Sequence, residues 1–420
     1  MKVNTNPVRG TRDFLPAEVE LRDYVKETIL GVYKKHGFTR IETPALENSD
    51  ILMGSEGGEN IKLIYKILKR GEKLNLTKED LQEKDLVDMG LRYDLTLPLS
   101  RFYANNQAKL PAQFKSVQIG EVYRAERPQK GRFRSFVQCD IDIIGDESYG
   151  AELDLISTTA EALSKLSFKG FKIRVNDRRV LRAMIIGAGF PSENVGSICI
   201  TLDKLDKIGM DGVKNELIKN EYSEEVITKF INSLEILSKE GFDLDGLKDI
   251  GVEEEVIASL KAVITVVSSQ KGDFSIVFDP SLVRGMGYYT GMIFEIEYSD
   301  FGVSIAGGGR YDKMIGRFMK NDVPAVGFSI GFERIIAILQ EKNFEIPCKE
   351  EKTALLYDLK NDEVVKVFSY ADSLREKGMA VSLIQKQKKL GKQISRLGEE
   401  GYKSFVVYRE NQEEIEIKDI

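Results

Sequence analysis

The chain of 420 residues has no tryptophan, one histidine, three cysteines and ten prolines. A single imidazole, His36, rules out histidine-rich metal sites and leaves little room for a Ser-His-Asp triad. His36 lies in KKHGF, where the pattern predicts a helix end and a cation complements the helix dipole, so its reading is structural. Cys139, Cys199 and Cys348 are odd in number, far apart and form no C-x-x-C pair. That argues against a disulfide framework or a cysteine zinc site. No apolar run is long enough to span a bilayer, and MKVNTNPVRG lacks the apolar segment of a secretory leader, so a cytoplasmic location is expected. The formal net charge of −6 argues against nonspecific nucleic-acid binding through global charge and leaves a local basic footprint open. Chemistry in this chain must therefore rest on arginine, carboxylates, tyrosine and backbone groups.

What is present is the composition of a globular protein, 42% hydrophobic and 30% charged, and the length predicts two or three domains. The most informative stretch is EVYRAERPQKGRFRSFVQCDIDIIG, residues 121–145. Its β-branched and aromatic ends predict two strands, and Pro128 and Gly131 predict the turn between them. The hairpin carries Arg124, Arg127, Lys130, Arg132 and Arg134, with Phe133 and Phe136 interleaved. Guanidinium forks match phosphate oxygens, and an aromatic face beside cations suits a purine. A solvated, charged edge hairpin would read the same way in isolation.

In chain order, Leu21, Val25, Ile29 and Val32 give one apolar face to a helix over 17–35. FTRIETPALE then reads as a short strand containing Pro44, at an edge or interface. Residues 51–90 read as a hairpin and loop excursion. In RYDLTLP, Asp94 is either a helix cap or, with Thr96, an acceptor for an ammonium ion. Residues from about 178 to 270 read as an inserted helical subdomain without evident site chemistry. RGMGYYTG and AGGGRYD follow, then VPAVGFSIGFERIIAIL with Arg334 near a helix start. Residues 341–352 read as a linker, and 353–420 alternate strand and helix as a small α/β domain with a mostly parallel sheet. Lys386, Lys388, Lys389 and Lys392 there either meet phosphates or form an ordinary solvated helix start.

The hairpin resembles motif two of the class II aminoacyl-tRNA synthetases, and ERPQKGRFRSF resembles the histidyl-tRNA synthetase family in particular. RGMGYYTG and AGGGRYD resemble that family's two histidine-specific signatures, the helix–strand–Pro44 pattern its motif one, and the Arg334 segment its motif three. The resemblance implies an α/β fold: a catalytic domain over 1–340 with a mixed, mainly antiparallel sheet and a helical insertion, then an anticodon-binding-like domain over 353–420. It implies activation of histidine by ATP to histidyl-adenylate, transfer to tRNA(His), Mg²⁺ on the outer phosphates, and a homodimer.

Carried over by residue, the resemblance gives Arg124 and Arg284 the α-phosphate, and Arg132 and Arg334 the outer phosphates. Phe136 stacks on adenine and Glu126 accepts from its amino group. Asp94, Thr96 and Gln138 take the α-amino group, Asp142 and Tyr289 the imidazole, and Tyr311 closes the pocket. Two positions depart from the family pattern: Gly287 stands where an acidic residue is usual, and Asp142 where a longer glutamate is common. The alternative is a histidine-sensing regulatory subunit of ATP phosphoribosyltransferase, a non-catalytic relative of the same fold.

Overall fold

The computed structural model describes residues 3–54, 59–128, 132–284, 288–298, 302–347, 351–409 and 416–420. Lys130, Gly131, Gly285, Gly287 and Cys348 lie outside them. The chain divides into two compact units, Met1–Phe344 and Glu345–Ile420, so the division falls within the polar stretch read as a linker.

The first unit is built on an eight-stranded sheet. Its strands are β1 (Thr39–Arg40), β5 (Phe114–Tyr123), β6 (Ser135–Ile144), β7 (Phe171–Asp177), β8 (Phe274–Phe278), β9 (Met292–Tyr298), β10 (Val303–Arg310) and β11 (Ala325–Gly331), in the spatial order β1-β5-β6-β11-β10-β9-β7-β8. Only the outermost pairs, β1 with β5 and β7 with β8, are parallel. The rest of the sheet is antiparallel. A three-stranded sheet of β2 (Leu46–Asn48), β3 (Lys66–Leu68) and β4 (Val87–Leu91) accompanies the short helices α2 (Ser49–Gly54) and α3 (Glu83–Leu86).

The strand expected around Pro44 is two strands. β1 pairs with β5 of the large sheet and β2 with β4 of the small one, and Pro44 lies in the irregular link between them. Proline cannot donate to a ladder, so pairing ends before it and resumes in another sheet.

Helix α1 (Pro16–Lys35) starts with proline in its first turn and buries Leu21, Val25, Ile29 and Val32. It packs on α5 (Gly150–Lys165) and α11 (Phe332–Glu341), and all three contact one face of the sheet. That face receives Val137, Cys139, Ile141 and Ile143, all buried. Each such side chain adds roughly 1.5–3 kcal/mol when fully buried, which fixes the register of β6. The even positions of β6 consequently face the other way. On that side α4 (Thr96–Asn106) contributes Leu99 and Tyr103 to an apolar cluster with Tyr311, Met314 and Ile315.

Between β7 and β8 lie α6 (Arg178–Ala188), α7 (Val195–Leu202), α8 (Leu205–Lys219), α9 (Glu224–Leu237) and α10 (Glu254–Ser268). Asp177 caps α6 by accepting from Arg179 N at 2.8 Å. Gly189 ends α6 at φ 108°, a left-handed conformation that favours glycine.

The second unit is a sheet of β12 (Lys352–Tyr357), β13 (Ala380–Gln385), β14 (Tyr402–Val407) and β15 (Lys418–Asp419) in the order β13-β12-β14-β15. The first three strands are parallel and β15 is antiparallel. Helices α12 (Val364–Glu376) and α13 (Leu390–Glu399) contribute to two separate apolar clusters, Val367 and Leu374 to one and Leu397 to the other.

Candidate active site

Strand β6 is the spine of the site. Pleating sends Val137, Cys139, Ile141 and Ile143 to the helices, so Phe136, Gln138, Asp140 and Asp142 face a cavity of about 1270 Å³. Neighbouring strands set their depth. Asp142 lies beside Ser116 of β5 and Gly327 of β11, and Asp140 beside Gln118 and Ser329. Gly327 is required by close approach, because a Cβ there would come within 2.1 Å of the Asp142 Oδ1.

One end of the cavity is acidic. Asp142 is buried, and its Oδ1 accepts from the Tyr311 hydroxyl at 2.6 Å. Its Oδ2 is buried and has no hydrogen-bond partner among the described residues. Burial, above all, pushes this carboxyl up to about 7. Asp140 is also buried and accepts from the Ser329 hydroxyl at 2.5 Å. Burial and then the neighbouring Asp142 hold its titration well above the usual carboxylate range. Gln138 Nε2 donates to the same Ser329 oxygen at 3.1 Å, while Gln138 Oε1 is buried and unpartnered. Asp94 lines the same end, accepts from Leu97 N at 3.1 Å, and is raised by burial. It therefore accepts a backbone N–H in the first turn of α4 and also lines the cavity. Thr96 opens α4 beside it.

The phenol partnering Asp142 is Tyr311. Tyr289 also lines the cavity, but its hydroxyl pairs with Tyr288, the two rings lying 4.3 Å apart. Burial raises Tyr288, Tyr289 and Tyr311, so all three remain neutral hydrogen-bonding groups.

The other end is basic. Arg124 lies over the Tyr93 ring at 4.2 Å and the Phe136 ring at 5.1 Å, an aromatic cradle that holds the guanidinium. Arg132 is 3.5 Å from Glu126. Arg284 pairs with Glu295 of β9, and Arg334 donates to the Ser304 carbonyl of β10. Burial, then repulsion from Arg132 and Arg284, lowers Arg334, so these cations crowd one region. Gly307 makes room for one of them: a Cβ there would lie 2.2 Å from the Arg284 Cζ. Mutually repelling guanidiniums around open space are complementary to a polyanion.

Several conspicuous charges serve the fold. Arg310 of AGGGRYD is buried against Glu152 at 2.6 Å. Arg134 of the hairpin donates to the carbonyls of Glu126 and Arg9, both at 3.1 Å. His36 follows α1 and bonds Glu161 at 2.8 Å. The structure thus gathers every expected binding residue, Arg124, Glu126, Arg132, Phe136, Arg284, Arg334, Asp94, Thr96, Gln138, Asp142, Tyr289 and Tyr311, around one cavity. Sequence reasoning passed over Asp140, Ser329 and Tyr93, and it saw no site chemistry in the helical segment, from which Arg178 and Asp203 also line the cavity. The alternation that exposes Gln138 and Asp142 was sufficient to find Asp140.

No group of three or more histidine, cysteine, aspartate or glutamate side chains suited to a metal ion occurs among the described residues. No helix among them is long and apolar enough to cross a membrane.

Comparison with known proteins agrees with this geometry. The profile of the family described as Histidyl-tRNA synthetase matches residues 10–335. A histidine–tRNA ligase of Leifsonia xyli subsp. xyli is 41% identical over 409 residues, covering 95% of this chain and 94% of that protein. A probable histidine–tRNA ligase of Tropheryma whipplei is 42% identical over 414 residues, covering 95% of each. The crystal structure of histidyl-tRNA synthetase from Nostoc sp. PCC 7120 superposes with a TM-score of 0.81 at 28% identity, over 100% of this chain and 95% of that one.

Proposed function

The chain belongs to the histidyl-tRNA synthetase family, and from that premise we propose how its cavity performs the work of a histidine–tRNA ligase. The enzyme joins histidine to ATP and then transfers the histidyl group to tRNA(His). A histidine carboxylate oxygen attacks the α-phosphorus of ATP, the bond to the β-phosphate oxygen breaks, and pyrophosphate leaves. A hydroxyl of the terminal ribose then attacks the histidyl carbonyl carbon, and AMP departs. The nucleophile of the first step is already an anion, so no general base is required; positioning and charge neutralisation carry the step.

Each role falls to a group at the cavity. Arg124 and Arg284 hold the α-phosphate and the incoming carboxylate; Arg132 and Arg334 hold the outer phosphates. Phe136 supports adenine and Glu126 accepts from its amino group. Asp94, Thr96 and Gln138 receive the ammonium group, for which the unpartnered Gln138 Oε1 is a ready acceptor. The single observation that carries the histidine assignment is the free, buried Oδ2 of Asp142, which awaits an N–H donor beside the phenols of Tyr289 and Tyr311. An imidazole supplies that donor and an acceptor for a phenol.

Mg²⁺ would sit on the outer phosphates beside Arg132 and Arg334, where it would supply further neutralisation of their charge. We assign a homodimer and a cytoplasmic setting to the same reading; exposed Leu46 and Leu68 on the three-stranded sheet supply apolar surface for a second copy. A histidine-sensing subunit without ATP chemistry would have no use for four arginines around the nucleotide end. The regulatory-subunit/synthetase structure from Bacillus halodurans, at 20% identity and a TM-score of 0.78, shares the fold alone.

The test is ATP–pyrophosphate exchange against a panel of the standard amino acids. Exchange with histidine alone is expected. Exchange with another amino acid, or histidine binding without exchange, would overturn the reading.

A further inference from the structure

The acidic end holds one carboxylate that neither reaction step uses. Asp140 of β6 is buried and lines the cavity between its cross-strand neighbours, Gln118 of β5 and Ser329 of β11. Gln118 is engaged elsewhere: its Nε2 donates to the Leu95 carbonyl and its Oε1 accepts from the Thr43 hydroxyl, both at 3.1 Å. Ser329 is therefore the neighbour that satisfies Asp140, and its hydroxyl donates at 2.5 Å.

A serine hydroxyl has a single proton. With that proton given to Asp140, the oxygen offers only lone pairs to a third group. That group is Gln138, whose Nε2 donates to the Ser329 oxygen at 3.1 Å. An amide whose nitrogen is held in this way turns its carbonyl oxygen outward. The Gln138 Oε1 is the atom left buried at the cavity without a partner among the described residues. The reversed amide would present N–H donors, which repel an ammonium group. The direction of one hydroxyl proton therefore decides whether this side of the pocket accepts an α-amino group. Burial, then Asp142 and Asp94, favour a protonated Asp140, while the Ser329 bond and Arg124 oppose it. An ammonium group brought beside these carboxylates favours the ionised form, which can only accept.

We propose that Asp140 is a positioning residue: through the Ser329 hydroxyl it fixes the Gln138 amide with its carbonyl oxygen toward the cavity, and so sets the preference for a ligand carrying an α-ammonium group. The inference rests on the ligase reading and names the two residues that make the amino-group subsite an acceptor. The relay is separate from the ring subsite, because Asp142 takes its own bond from Tyr311. Its loss should therefore be felt by the ammonium group and not by the imidazole.

The experiment measures dissociation constants of the full chain by titration calorimetry, for histidine and for imidazole propionate, which keeps the ring and the carboxylate but lacks the ammonium group. In Ser329→Ala, histidine should bind about ten-fold more weakly, the equivalent of one charge-assisted hydrogen bond, while imidazole propionate and ATP stay within about two-fold of the parent. Ser329→Thr, which keeps a hydroxyl, should restore part of the loss. Asp140→Ala should weaken histidine in the same way, and the two losses should not add, because each breaks the same relay. Equal weakening of histidine and imidazole propionate would overturn the proposal, since lost packing acts on both. Additive losses in the double variant would overturn it too, by showing that Asp140 acts on the ammonium group through its charge alone. So would unchanged histidine affinity in both single variants. A parent chain without histidine-dependent pyrophosphate exchange would overturn the ligase reading itself, and this inference with it.

Discussion

The two ends of the cavity solve recognition in opposite ways. The acidic end stands on β6, a strand hydrogen-bonded on both sides in the middle of the sheet. Its carboxylates Asp140 and Asp142 are buried and shifted toward their protonated forms, and Asp142 is packed against Gly327. The basic end is assembled from Arg124 and Arg132 of the hairpin, Arg284 of a connection and Arg334 of α11, all more exposed. Guanidiniums keep their charge at any working pH, whereas a buried carboxylate changes charge with pH. In the assignment proposed above, rigidity and a titratable charge serve to tell a small ring from its competitors. Permanent charge serves to neutralise a flexible polyphosphate.

Breaking the basic end should have the largest effect. Arg284→Ala is expected to lower the kcat of histidine-dependent exchange by about 10²–10³-fold while the KM for histidine changes little. A rise in that KM with kcat retained would instead assign Arg284 to the amino acid. Breaking the acidic end should be milder and opposite in kind. Asp142→Asn is expected to raise the KM for histidine by about 10–100-fold, the equivalent of one hydrogen bond to a charged group, and to leave the KM for ATP within about two-fold. Loss of ATP affinity in this variant would show that the two ends are not independent.

The smallest effect is graded by pH. Asp142 is pushed up to about 7, so it holds its own proton below that value and accepts an imidazole N–H only above it. Histidine affinity should therefore weaken as pH falls through about 7, by at most about ten-fold per unit, while ATP affinity stays flat. Free imidazole titrates near 6.5, so the component belonging to Asp142 is the part that Asp142→Asn abolishes. An unchanged profile in that variant would place the titration on the ligand.

Sheet-level features were the legible ones. The alternation in 135–144 and the spacing of Leu21, Val25, Ile29 and Val32 follow from local periods, and the structure carries them as β6 and α1. Pairings across long separations were not legible. Nothing local to Asp142 reveals that Tyr311, 169 residues on, is its donor. The glycines of AGGGRYD stand out in the sequence, yet the reason for Gly307, the guanidinium of Arg284 beneath it, exists only in the folded chain. Pro44 was visible as an interruption, but its separation of two sheets needed both partners. Arg178 escaped notice because its surroundings read as ordinary helix, and its unpartnered nitrogen is a property of burial.

One buried ion pair bears on how the molecule is made. Arg22 of α1 grips Glu333 of α11 through two bonds of 2.6 and 2.8 Å, across 311 positions of sequence, and Glu333 also accepts from Val137 N at 3.3 Å. Arg334, the neighbour of Glu333, is thereby set by segments from the start, middle and end of the first unit. During synthesis the hairpin can emerge and pair early, whereas the acidic end waits for Tyr311 and for β11 to pair with β6. The basic end cannot be completed until the ribosome has released residue 334 and α11 has docked on α1. With Arg334 in the role proposed for it, a nascent chain of this protein cannot spend ATP until its first unit is whole.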